Sequence, residues 1–113
     1  MTRGARLTAT EKLWRAIPES AVQQTLTDTA EALASPWHHE TDSRKSRRGW
    51  PDLAMPLPPV LWIVECKKEL EPLEPEQVCW SEFLRRCTRV EYRIARPSNV
   101  GRIAEELRDG SAT

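Results

Sequence analysis

Asp52 follows Gly49-Trp50-Pro51, Glu65 and Lys67 close an apolar run as Glu65-Cys66-Lys67, and Gln77 falls inside a helical pattern shortly after. Two carboxylates held together repel one another, and are tolerated chiefly when a divalent cation lies between them or one keeps its proton. A hard ion with oxygen ligands and open water positions suits such a pair. Mg²⁺ or Mn²⁺ held by Asp52, Glu65 and the backbone carbonyl of Cys66 is therefore the expected centre. Water oriented there could attack phosphorus, with Lys67 stabilising the charge that develops on the phosphate. The competing reading is a surface ion pair between Glu65 and Lys67 at a strand end, the commoner fate of an E-x-K triplet.

The elements that must position these groups follow from the pattern around them. Leu61-Trp62-Ile63-Val64 is apolar at every position, as in a strand buried on both faces. Side chains alternate across a strand, so Glu65 and Lys67 share one face and Cys66 turns to the other. Asp52 to Met55 reads as a partner strand in a hairpin that sets Asp52 beside Glu65, with Pro56 to Pro59 as a connection too proline-rich to be strand. Beyond Lys68, Pro75 suits the first turn of a helix whose Leu73, Gln77, Trp80, Leu84 and Cys87 recur at spacings of three and four. Gln77 on that stripe would point at the sheet and position the attacking water or a metal ligand; the alternative is a polar residue at the edge of the core.

Upstream, Val22, Leu26, Ala30 and Leu33 repeat at helical spacing from Glu19 to a break at Ser35-Pro36. Glu19 lies on the inward edge of that stripe, as a third carboxylate at the metal or as an acid favoured by the helix dipole. Trp37 to Thr41 reads as the first strand. His39 in it either orients Asp52 or a phosphate, or is a hydrogen-bonded structural histidine. Val90, Tyr92 and Ile94 alternate with Glu91 and Arg93 as a last strand, and Ser98 is a suitable N-cap for a helix with the stripe Val100, Ile103, Ala104 and Leu107. Arg96, at the strand end, is a phosphate ligand or the partner of a core acid. The expected order is helix, three strands, helix, strand, helix, an α/β sandwich with a mixed β-sheet flanked by helices. Residues 1–18 would be an arm with a short helical turn over 11–17, residues 19–108 the domain, and residues 109–113 a tail.

Taken in order, Gly49-Trp50-Pro51-Asp52-Leu53, Ile63-Val64-Glu65-Cys66-Lys67-Lys68 and Leu73 to Trp80 resemble the VRR-NUC branch of the PD-(D/E)XK nucleases. The similarity continues upstream through His39-Glu40-Thr41-Asp42-Ser43-Arg44 and downstream through Arg96-Pro97-Ser98-Asn99, and spans roughly residues 19 to 107. The resemblance implies a restriction-endonuclease-like core, Mg²⁺ or Mn²⁺ dependence and DNA cleavage. It also implies that compact chains of this type act as homodimers on branched DNA such as four-way junctions. A first-helix acid at Glu19 and the arginine of the matched D-S-R segment, Arg44, fit that pattern.

Composition sets the remaining bounds. The 113 residues suffice for one core. With 17 basic and 17 acidic residues the net charge is zero, so overall charge argues neither for nor against nucleic acid. Distribution says more: Arg44, Lys45, Arg47 and Arg48 precede the Pro51-Asp52 motif and Lys68 follows Lys67, where a phosphate backbone would pass. For Lys45 and Arg47 a solvated basic loop is the equal alternative. Three cysteines without zinc or redox spacing read as buried thiols in a reducing cytoplasm. No apolar stretch is long enough to span a bilayer, no signal-peptide pattern is present and no organic cofactor is called for. Two other classes of function remain in view, a DNA-binding module that does not cut and a partner-binding protein anchored by its tryptophans.

Overall fold

The computed structural model describes residues 7–40 and 48–112. Helices α1 (Ala9–Ala16) and α2 (Glu19–Ala32) lead to strands β1 (His38–His39), β2 (Leu53–Leu57) and β3 (Val60–Cys66). Helix α3 (Pro75–Leu84), strand β4 (Val90–Ala95) and helix α4 (Val100–Ala112) follow. The strands form one four-stranded sheet in the order β1-β2-β3-β4. The first two pairings are antiparallel, while β3 and β4 run parallel, which the α3 crossover makes possible. This is the mixed α/β sheet expected from the sequence, with one helix added at the front.

The two faces of the sheet do different work. Trp62, Val64 and Cys66 alternate along β3 and join Leu53, Met55 and Ala95 on one face, where Val22, Leu26 and Ala30 of α2 and Ile103 and Leu107 of α4 close the core. The opposite face of β3 carries Ile63 and Glu65, with Lys67 one residue past its end, all buried but outside that cluster. Arg85, which caps α3, sits over the Tyr92 ring of β4 at 5.2 Å, so α3 lies on this second face. The hydrophobic effect is thus concentrated on one side, and the other is left for polar chemistry.

Several local expectations give way to the structure. Thr8 caps α1 in a reciprocal box with Glu11, so the expected short turn is a full helix of eight residues. The first strand pairs only at His38 and His39, with Trp37 outside it. Pro56 and Leu57 belong to β2, and the turn is Pro58-Pro59, whose peptide bond is cis. Proline is tolerated because β1 pairs with β2 only at Ala54 and Leu53, so no described strand asks Pro56 for an N–H, and its carbonyl accepts Ser35 Oγ at 2.8 Å. Ser98 spends its hydroxyl on Glu69 rather than on a helix cap. Helix α4 continues to Ala112, past the point where a tail was expected. Of the three cysteines only Cys66 is buried; Cys79 and Cys87 are exposed, because α3 buries only Ser81 and ends at Leu84.

The segment entering β2 is anchored from below by α3. Trp80 Nε1 donates to the carbonyl of Arg48 at 3.1 Å, and the Trp50 and Trp80 rings meet edge to face with centroids 4.9 Å apart. Between them Gly49 has φ +88°, and a Cβ there would lie 2.6 Å from the Glu76 carbonyl carbon. Only glycine meets both conditions. Replacement of Gly49 by alanine is expected to destabilise the protein by about 1–3 kcal/mol, as backbone strain and overpacking combine. Urea unfolding of the variant checks this; an unchanged midpoint would show that the close approach to α3 is dispensable.

Candidate active site

The register of β2 on β3 pairs Leu53 with Val64, and one step further it brings Asp52 opposite Glu65. Asp52 Oδ2 accepts the backbone N–H of Cys66 at 2.9 Å, and its carbonyl accepts the Glu40 N–H at 2.9 Å. Glu65 is 2% exposed, and its Oε2 has no hydrogen-bond partner. Lys67, 5% exposed, donates its backbone N–H to Ala95 and holds Nζ 3.8 Å from Glu71 Oε2. Two acids and an amine are therefore packed at the carboxyl end of β3, in a place where each unpaired polar atom is costly.

Their electrostatics follow from that packing. Burial, then a hydrogen bond to Asp52 and the Asp52 charge, push the Glu65 carboxyl up to about 9, against the opposing pull of Lys67. Without a cation the pair retains a proton. Glu19 is also raised, by burial first and then by Asp52 and Glu71, while Lys67 and Lys68 act the other way. The start of α2 thus brings its acid into the field of the same cluster. Burial pushes the Cys66 thiol up, with Asp52, Glu19 and Glu65 adding to it, and its side chain is in the core as alternation requires. The donor set is hard oxygen throughout, and the buried, unpartnered Glu65 Oε2 beside a second carboxylate fits a small divalent cation. Among the described residues, no cluster of three or more His, Cys, Asp or Glu side chains forms a ready-made cage.

Other expected residues find more ordinary partners. His39 Nε2 lies 2.6 Å from Gln23 Nε2, tying β1 to α2 as a structural histidine would. Gln77 is half-buried and accepts the Glu74 N–H at 2.8 Å through Oε1, so its acceptor caps its own helix and only its Nε2 donor remains for other work. Arg96 does not pair with a core acid. Its Nη1 donates to the carbonyls of Lys68 and Glu71 at 2.8 and 2.6 Å. Arg48 is exposed and 3.5 Å from Glu76, and Lys68 is exposed beside Lys67. Arg44, Lys45 and Arg47 lie outside the described residues.

Sequence reasoning missed three features. Glu71 reaches Lys67, but an acid in a loop carries no periodic signal. Tyr92 reads from periodicity only as part of a buried face; burial and Glu65 push its hydroxyl up to about 12, with Arg85 opposing. Arg85, Arg86 and Arg89 form an exposed cluster between α3 and β4, with no ion pair among the described residues. Three arginines in five residues was a signal available from composition alone.

A mixed sheet flanked by helices, with facing acids and a lysine at the end of its inner hairpin, defines a restriction-endonuclease-like domain. A solved structure described as a VRR_NUC domain is 31% identical to this chain, with a TM-score of 0.61, and the alignment covers 77% of this chain and 94% of that one. The chain belongs to the VRR-NUC family and is a nuclease-type domain. No protein-family profile and no curated protein sequence matches it significantly.

The raised Glu65 gives a pH test of the site. Its folded value of about 9 lies above the ordinary 4.5, so between these values the folded state holds a proton that the unfolded state has released. Stability of the metal-free protein should therefore fall as pH rises through that window. Glu65→Gln should remove this contribution and raise the melting temperature above wild type at pH 8. Thermal melts in EDTA from pH 5 to 9 read both effects, and a flat wild-type profile would mean that Glu65 ionises freely.

Proposed function

We propose that the protein hydrolyses DNA phosphodiester bonds with Mg²⁺ or Mn²⁺, acting as a homodimer on branched DNA such as a four-way junction. The observation that carries the reading is Glu65 Oε2, a buried and unpartnered acceptor set opposite Asp52 with Lys67 two residues along the same face. Family membership supports the chemistry. The choice of branched DNA and of a dimer rests on the resemblance of the ordered motifs to compact junction-cleaving members.

Asp52, Glu65 and the Cys66 carbonyl would hold the ion, with Glu19 completing the shell. Such an ion, when bound, lowers the pKa of coordinated water and draws charge from the phosphate. The chain's own groups do the rest. Asp52 is fixed by the Cys66 N–H, which holds its carboxylate beside Glu65. Lys67 presents Nζ to the scissile phosphate and offsets the negative charge that grows as the bond breaks. Gln77 contributes its remaining amide donor to the attacking water. Lys68 and the exposed Arg85, Arg86 and Arg89 give the DNA backbone cationic partners on either side of the centre. No described helix is long and apolar enough to cross a membrane.

Labelled four-way junction, flap and linear duplex, each incubated with Mg²⁺, Mn²⁺ or EDTA, test this reading. Paired symmetric cuts in the junction that require metal are expected, and Lys67→Ala should fold normally while losing about 100-fold or more in rate. Asp52→Ala should lose, in addition, the thermal stabilisation given by the metal. Binding without any cutting would leave a DNA-binding module and refute the enzyme.

The arginine cluster is tested separately. Replacing Arg85, Arg86 and Arg89 with alanine should weaken junction binding and reduce the slope of log K against log salt by about 0.9 for each phosphate no longer neutralised. The rate at saturating DNA should hold. An unchanged salt slope would exclude these arginines from the interface.

A further inference from the structure

The loop that follows Lys67 is held more firmly than a connector requires. Lys68 N–H donates to Glu71 Oε1 at 3.2 Å, Glu71 N–H returns to the Lys68 carbonyl at 3.2 Å, and Leu70 between them has φ +69° although its side chain is largely exposed. A leucine in the left-handed region is unfavourable, and persists when its surroundings over-determine it. Here the turn between β4 and α4 does so. Arg96 Nη1 takes the carbonyls of Lys68 and Glu71, while the Glu69 carboxylate accepts Ser98 N–H at 3.1 Å and Ser98 Oγ at 2.8 Å. Arg96 is itself seated, because Asn99 Oδ1 accepts its backbone N–H at 2.7 Å and Asn99 Nδ2 donates to the Ile94 carbonyl. Four hydrogen bonds from Arg96 and Ser98 therefore hold a strained turn whose output is the Glu71 carboxylate. One oxygen of that carboxylate closes the turn, and the other faces Lys67 Nζ.

The geometry points to Glu71 as a positioning residue for Lys67, with Arg96 and Ser98 as the staple that fixes it. The proposal rests on the nuclease reading and adds what that reading lacked, a reason why the amine does not collapse onto Asp52 and Glu65. Coulombic attraction toward that acid pair is strong in a buried site, and an ammonium drawn into it would be removed from the phosphate. Glu71, half-exposed at the mouth, gives Nζ a second anchor on the solvent side. It also explains why Arg96 spends an Nη1 on two carbonyls. Bidentate donation in a fixed fork suits the fastening of a loop.

Two variants and one background separate this role from the alternatives. Glu71→Gln is expected to lower the rate at saturating junction about tenfold with dissociation constant unchanged, and to cause no further loss in a Lys67→Ala protein. Ser98→Ala, which removes part of the staple without touching charge, should lower the rate in the same direction, while Arg96→Ala leaves affinity and salt slope as in wild type. A fall in affinity and salt slope for Arg96→Ala would instead make it a phosphate ligand and overturn the staple. Additive losses for Glu71→Gln and Lys67→Ala would overturn the positioning role. Independently of cleavage, the Lys67 ¹³Cε resonance should move in Glu71→Gln and in Ser98→Ala. An unmoved resonance sinks the proposal even in a protein that cuts nothing, whereas a shifted resonance without any cutting would count against the nuclease reading alone.

Discussion

The repulsion between Asp52 and Glu65 is the constraint around which this small protein is organised. Burying one carboxylate opposite another is unfavourable unless a proton or a cation intervenes, and Glu65 answers in the metal-free state by keeping its proton. The fold has to hold the pair together against that cost. It does so by making the antiparallel register of β2 and β3 depend on apolar side chains: Leu53, Met55, Trp62 and Val64 all face the core. A slip of one residue would turn these outward and separate the acids at once. The energy that keeps the site assembled thus comes from the opposite face of the same two strands.

The division of the sheet also leaves β4 as an open edge, which side chains partly cover. In the parallel ladder the carbonyls of Arg89 and Ala95 point toward β3, so those of Tyr92 and Ile94 point outward from β4. Arg93 Nη1 takes the first at 3.0 Å and Asn99 Nδ2 the second at 3.0 Å. Side chains thereby occupy acceptors that another strand could otherwise use. Arg93 is held over Trp62 and paired to Glu91 and Glu106, which pins α4 to the sheet from the same residue. The β4–α4 turn therefore protects an edge on one side and fastens the loop beside Lys67 on the other.

Much of this was legible in the residues because it depends on short-range periodicity. The uniform apolar run before Glu65 marks a strand buried on both faces, and alternation then places Glu65 with Lys67 and sends Cys66 to the core. The α2 and α4 stripes are equally plain. What the residues did not disclose depends on which partners their side chains choose and on where neighbouring strands end. Gln77 lies on a stripe that points it at the sheet, but its acceptor is drawn to the Glu74 N–H, which leaves only its amide donor for the site. Proline at position 56 looked incompatible with strand, and is accommodated because the neighbouring strand is too short to demand its missing N–H. Nothing local announces that Arg96 bonds two carbonyls of a loop 25 and 28 residues earlier. Of these, only the Glu74–Gln77 box has a local signature, in its spacing of three residues at the start of α3.

The balance of charge bears on how such a centre would meet DNA. With 17 basic and 17 acidic residues the molecule has no net attraction to a polyanion, and at physiological salt fields decay over about 8 Å. Around Lys67 the local balance is adverse, since Asp52, Glu19 and Glu71, joined by Glu65 once it gives up its proton, set acids against Lys67 and Lys68. On the proposed reading a cation bound by Asp52 and Glu65 removes much of that repulsion, and by linkage a phosphate in the site must strengthen the hold on the cation to the same degree. The weak ion affinity expected of two carboxylates would then be corrected only when substrate is present. Selectivity for the right DNA would arise from geometry at the centre and from the separate arginine cluster beyond it, with little help from long-range attraction.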